Sequence, residues 1–232
     1  MAIDYSDTIR ELKGKIDISA CREMDAAELI SAAGRAVETG TAAILAWPEY
    51  VHTLWGWLEG KGIEIFAEIG RPSDDHVRLA EEINTTLRRG ADGAAIRVGQ
   101  DLAAVASALF PVRHDLFFCK KLLFVLDLEN ADPNAWSDVF FQLKKIGADG
   151  IVLSTRAMAN ANRKKENVFD TPGAVFGALS NWDDGFAGDV WFEFNSINDI
   201  ESSWRLVKKM RPELIDRTRF IVDSPKSTVN GN

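Results

Sequence analysis

The sequence predicts an α/β fold in which a single (β/α)8 barrel spans residues 1–232. Three observations carry this expectation. Eight short apolar runs alternate with longer amphipathic stretches. The alternation implies parallel strands joined by helical crossovers. Eight such units over 232 residues are best accommodated by a closed barrel. An open doubly wound sheet is the competing arrangement. It would need a Gly-rich first turn, whereas the first strand runs into Ser19-Ala20-Cys21-Arg22-Glu23.

The strands are read from brief β-branched or aromatic runs that end at turn or cap residues. They are Ile16–Ala20, Ala42–Trp47 before Pro48, and Ile63–Ile69 before Gly70 and Pro72. Gly93–Val98, Leu122–Leu128, Gly150–Ser154, Val190–Phe194 and Arg219–Asp223 follow. Helices are expected at Ala26–Thr39 before Gly40 and at Glu49–Leu58. Others are expected from Ser73 as a cap to Arg89, at Leu102–Leu109, and at Ala135–Ile146 after a cap at Asn134. Pro172–Leu179 and Asp199–Met210 complete the set. The phrase Gly-Ala-Asp-Gly occurs twice, in GADGAAIRV and GADGIVLST. Each copy reads as a helix C-cap leading into a parallel strand. The polar stretch Arg156–Thr171 is the longest loop, either a solvated surface segment or a lid over the barrel. After the eighth strand only SPKSTVNGN remains. The final helix is therefore expected to be short or absent, with Tyr5–Leu12 or a second subunit covering the outer faces of the last and first strands. A homodimer follows as an expectation.

Composition narrows the partners. The formal net charge of -8 and pI near 5.0 disfavour nucleic acid and anionic membranes. Cys21 and Cys119 make no CxxC pair, so neither a structural zinc site nor a disulfide framework is expected. The first residues, MAIDYSDTIRELKG, contain no apolar core of the kind a secretory leader needs. A cytoplasmic protein acting on a small molecule is the expectation.

In such a barrel the reacting groups stand at the C-terminal ends of strands. The candidate catalytic residues are Asp17, Glu68, Asp127, Glu129, Glu193 and Asp223. Candidate substrate-binding residues are Arg97, Ser154, Thr155, Arg156, Asn195 and Trp47. Parity supports them, because Asp127 and Glu129 share one face of a strand, as do Glu193 and Asn195. Val125 and the neighbourhood of Leu128 are assigned to the opposite, apolar face. The carboxylates suit acid–base work or a possible divalent metal, and Arg97 suits a carboxylate or phosphate on the substrate. The bland alternative is a buried salt-bridge layer of Arg97 with Glu68, Asp127 and Glu193. His52 and His76 fall on helices and His114 in a loop, which disfavours histidine chemistry. Cys21 reads as a small packing residue.

These segments also resemble a known family. Ile16-Asp17-Ile18-Ser19, AAILAWPEYV, IEIFAEIGRP, GADGAAIRV, LLFVLDLE and GADGIVLST follow the order and spacing of the first six strands of deoxyribose-phosphate aldolase and its class I relatives. The resemblance covers about two-thirds of the chain and implies the barrel. It also implies a different active site. The family's Schiff-base lysine falls at Val152, and valine cannot attack a carbonyl. Its seventh-strand lysine falls near Phe192 or Glu193, its fourth-strand aspartate at Ala95, and its fifth-strand lysine at Phe124. The Gly-rich phosphate turns are replaced by FNSIND and DSPKS. Asp17 and the Ser154-Thr155 pair are retained. The expected function is binding of a small polar metabolite, a sugar phosphate or keto acid, with lyase- or isomerase-type acid–base chemistry and no Schiff base. The alternative is a catalytically inactive homologue that binds a metabolite or a protein. An amine supplied by Lys226 or Lys164 is a third route, disfavoured because neither lies in a strand.

Overall fold

The computed structural model describes residues 11–70, 76–98, 102–109, 120–128, 136–155, 171–194 and 197–223. Its eight strands are β1 (Ile16–Ala20), β2 (Ala43–Ala46), β3 (Glu64–Ile69), β4 (Gly93–Val98), β5 (Lys121–Asp127), β6 (Gly150–Ser154), β7 (Asp189–Phe194) and β8 (Thr218–Asp223). All pair in parallel with their sequence neighbours. β8 closes on β1, with Asp17 opposite Ile221 and Ser19 opposite Asp223. The fold is an α/β (β/α)8 barrel. The helices are α1 (Ala26–Thr39), α2 (Val51–Leu58), α3 (His76–Arg88), α4 (Leu102–Leu109), α5 (Trp136–Ile146), α6 (Thr171–Ser180) and α7 (Ile197–Met210). A 3-10 turn at Pro212–Arg217, absent from the sequence reading, leads into β8. Among the described residues no helix is long and apolar enough to cross a membrane. The expected caps Ser73 and Asn134 lie outside the described residues.

Side-chain alternation sorts each strand into a barrel face and a helix face. Phe66 on β3 and Trp191 on β7 meet edge to face with ring centroids 5.1 Å apart, although three strands lie between them on either side. Only the barrel interior allows this contact. Ala43, Leu45, Ala95, Leu123, Val125, Val152 and Ile221 join that interior cluster, with Cys21 and the edge of Trp47. Val125 therefore shares the inner face with Asp127, two residues on. The apolar face expected to carry it holds Phe124 and Leu126 instead, packed under the helices. Phe124 and Phe192 face outward in the same way, whereas Val152 and Ala95 face the interior.

The repeated Gly-Ala-Asp-Gly phrase has a job at each position. Its first glycine ends the preceding helix with positive φ, 68° at Gly147. Its aspartate reaches back one strand: Asp92 Oδ2 accepts from Ile65 N at 2.9 Å, and Asp149 Oδ2 from Leu122 N at 2.7 Å. Its last glycine begins a strand where no side chain fits. A Cβ on Gly93 would lie 2.6 Å from both the Lys121 carbonyl oxygen and the Phe66 ring. The phrase thus sets strand register as well as ending a helix.

α1 has an N-terminal cap that the sequence reading passed over. Asp25 accepts from Glu28 N at 2.8 Å while Glu28 accepts from Asp25 N, a reciprocal capping box. At the β8–β1 seam, Leu12 is buried in the main core with Phe220, Leu214 and Trp204. Glu11 accepts from Trp204 Nε1 at 3.0 Å and from Lys208 Nζ at 2.7 Å. Residues 11–12 and α7 therefore cover part of the seam between β8 and β1. Residues 5–10 of the expected cover lie outside the described set.

Candidate functional site at the C-terminal mouth of the barrel

Five consecutive strands send polar side chains from their C-terminal ends to one point. Arg97, next to last on β4, lies at its centre. Its Nε donates to Glu68 Oε1 on β3 at 2.8 Å, its Nη1 to Asp127 Oδ1 on β5, and its Nη2 to Glu193 Oε2 on β7 at 3.3 Å. Ser154, the last residue of β6, donates from Oγ to the same Glu193 oxygen at 2.6 Å. The side chains are well removed from water: Glu193 is 2% exposed, Glu68 5%, Asp127 11% and Arg97 15%. Burial pushes the Arg97 guanidinium down, but Glu68, Glu193 and Asp127 outweigh it and hold the group above its ordinary range. Arg97 stays protonated and acts as a fixed hub for three carboxylates. The floor beneath them is the Phe66–Trp191 pair.

Thr155 is also buried, but its hydroxyl is turned away from the hub. Its Oγ1 donates to the Glu193 carbonyl oxygen at 3.0 Å and its N–H to the same oxygen at 3.1 Å. Thr155 thereby fixes the backbone that aims Glu193. Trp47 follows β2, stays partly buried, and stacks on Tyr50 at 6.0 Å with planes 20° apart. The Tyr50 hydroxyl accepts from Met24 N at 3.0 Å, which anchors the aromatic pair to the segment after β1. Asp223 is exposed at the end of β8. Glu129, Arg156 and Asn195 lie outside the described residues, as do Arg71, Lys164 and Lys226.

Asp17 is not brought to the hub. It is wholly buried in the lower half of the barrel. Arg219, near the start of β8, donates to it through Nε at 2.6 Å and through Nη2, and Ala43 N donates to its Oδ1 at 2.9 Å. Burial raises its carboxyl from the ordinary value, against the pull of Arg219. The Arg219 guanidinium also lies 4.9 Å from the centre of the Trp191 ring. Sequence parity places both Asp17 and Arg219 inside the barrel. What it does not give is height along the barrel axis, which the strand stagger sets.

Among the described residues, no group of three or more His, Cys, Asp or Glu side chains is arranged to hold a metal ion. Of the carboxylates expected for a divalent metal, Glu68, Asp127 and Glu193 point instead at Arg97. Arg97, expected to hold a substrate anion, has Nε, Nη1 and Nη2 each directed at a carboxylate. Two surface cavities, of about 330 and 290 Å³, lie at the opposite, N-terminal end of the barrel, beside Arg211 and Trp55 respectively.

With this geometry in place, comparison with solved structures returns aldolases among other proteins. A tetrameric deoxyribose phosphate aldolase from Aeropyrum pernix superposes with a TM-score of 0.70 at 16% identity, covering 96% of this chain and 94% of that one. QR15, an aldolase, gives 0.69 at 14% identity over 92% and 91%. An oxaloacetate acetylhydrolase holding its product oxalate gives 0.57 at 12% identity over 94% and 79%. At such identities the likeness establishes the fold. No protein-family model matches the chain, and no curated protein matches it by sequence.

Proposed function

We propose that this chain binds a small polar metabolite with hydroxyl and carbonyl groups at the C-terminal mouth. There it performs lyase- or isomerase-type acid–base chemistry without a Schiff base. One observation carries the reading: ionisable groups from β3, β4, β5 and β7, with Ser154 from β6, meet around Arg97 at the face where barrels of this kind build their sites. Glu193, held by Ser154 and Arg97 and aimed by Thr155, is the proposed base. Asp127 is the partner carboxyl on the far side of the guanidinium. Val152, which the sequence resemblance aligns with the Schiff-base lysine, faces the interior and has no nucleophile to offer. Glu68 holds the hub; Glu129 is proposed as a further catalytic carboxylate, and Arg156 and Asn195 as substrate-binding residues. Asp17 is assigned a structural role in the barrel floor with Arg219.

The test is a turnover screen over aldoses, ketoses and keto acids with Glu193→Gln and Asp127→Asn alongside the unmodified chain, each checked for retained fold. Activity that falls by at least about a hundredfold in Glu193→Gln supports the proposal. Activity unchanged in both variants refutes it, and a borohydride-trapped adduct on any lysine refutes the exclusion of a Schiff base.

A second reading is a non-catalytic binding module. It is favoured by the Arg97 geometry, because a guanidinium given over to three carboxylates also serves as a staple across the barrel. Metabolite binding without turnover in the same screen selects it. Self-association as a homodimer in the cytoplasm is proposed with either reading. Light scattering that shows a monomer would exclude the dimer.

A further inference from the structure

We infer that the ligand accepted at this mouth is an uncharged, polyhydroxylated molecule, an unphosphorylated aldose, ketose or polyol, and that Trp191 and Trp47 select it. The inference rests on the acid–base reading of the mouth and narrows its substrate class. Three separate observations lead to it. The first is the state of Arg97. A phosphate or carboxylate arriving at the guanidinium meets Glu68, Asp127 and Glu193 already bonded to its three nitrogens. The anion would have to displace one of them while standing beside the others, and like charges at close range in a buried site repel strongly. Arg22, in the segment after β1, is taken by Glu28 and by the Glu23 carbonyl oxygen. A neutral hydroxyl has no such conflict. It donates to a carboxylate oxygen and leaves the hub intact.

The second observation is Trp191 Nε1. The residue is 2% exposed, and its indole N–H has no hydrogen-bond partner among the described residues. A buried donor without an acceptor is costly and uncommon. Trp191 precedes Glu193 by two residues on the same face of β7 and lies in register with Val152. A ligand hydroxyl that reaches beneath Glu193 would supply the acceptor that this N–H lacks. The third observation is Trp47. It is a partly buried indole at the mouth, held by its stack on Tyr50 and by the Tyr50–Met24 anchor. Such a plate suits the apolar C–H face of a sugar, whose hydroxyl edge then turns to the carboxylates.

The test uses the full chain and matched probes: D-ribose and glycerol, the terminal phosphate ester of each, pyruvate, and inorganic phosphate. Binding is measured by titration calorimetry and by ligand-observed NMR. The neutral member of a pair is expected to bind at least about tenfold more tightly than its phosphate ester. Trp191→Phe keeps a ring against Phe66 but removes the N–H, and should weaken that binding by about tenfold. Trp47→Ala, at the edge of the interior cluster, should do the same and keeps the test open if Trp191→Phe fails to fold. Tighter binding of a phosphate, pyruvate or inorganic phosphate at a site lost in Glu193→Gln overturns this inference while leaving the acid–base reading standing. Neutral binding indifferent to Trp47→Ala overturns it as well, because the ligand then sits elsewhere. No binding by any probe overturns both.

Discussion

Replacing Arg97 by Met tests the hub most severely. The side chains have similar length, so the change removes the guanidinium and little volume. It leaves Glu68, Asp127 and Glu193, at 5%, 11% and 2% exposure, without the cation they share. Removing one partner from a buried ion pair costs about 3–5 kcal/mol. For a chain of this size that corresponds to a fall in Tm of roughly 6–20 °C. The loss should depend on pH, with a definite sign. Without Arg97, burial disfavours the charged form of Glu68 and Glu193, so the fold favours their protonated form. Their penalty is absent below the unfolded pKa, about 4, and grows as pH rises through the raised folded value. The deficit measured by urea unfolding should therefore shrink by at least about 1 kcal/mol between pH 7.5 and pH 5. A deficit below about 1 kcal/mol that is the same at both pH values would show that the three carboxylates do not depend on Arg97.

Three further outcomes follow from the fold. Gly93→Ala places a Cβ 2.6 Å from the Lys121 carbonyl oxygen, and that oxygen belongs to β5 backbone. It should cost at least about 2 kcal/mol by urea unfolding, and an unchanged midpoint would mean that β4 and β5 separate freely. Leu12→Ala should cost about 2–5 kcal/mol, since Leu12 is buried where α7 and β8 meet; a negligible loss would mean that residues 11–12 do not cover the seam. Asp189, at the start of β7, has its carboxyl raised mainly by burial, against the pull of Lys121, Arg217 and Arg219. Its folded form favours the proton, so stability falls as pH climbs from the unfolded value through the raised one. Asp189→Asn should remove that slope, and a urea midpoint that keeps the same pH profile would refute the assignment.

The barrel was legible because period-two alternation and glycine stops survive in the sequence without any partner. The convergence of Arg97 with Glu68, Asp127 and Glu193 was legible for the same reason, since each is an ionisable residue near the C-terminal end of an apolar strand. The fate of Asp17 was not. It shares the parity of the mouth residues, and only the stagger between β1 and β8 shows that Arg219 receives it. The competition for Arg97 was hidden too, because a lone arginine among acidic residues reads equally as an anion site or as a hub. Val125 was misassigned through a slip of parity at one residue. Trp191 gave no signal in the sequence: a tryptophan in an apolar strand looks like core until its N–H is found without an acceptor.

Whether Glu193 moves a proton on a bound carbonyl compound decides the proposed function. Proton NMR in deuterated water measures this directly, by following exchange of hydrogens next to the carbonyl in unphosphorylated aldoses and ketoses. Exchange above the buffer rate is expected with the unmodified chain. That exchange should be lost in Glu193→Gln and retained in a folded Asp17→Asn variant. Exchange that persists in Glu193→Gln, or none above buffer with the unmodified chain across the panel, would contradict that function.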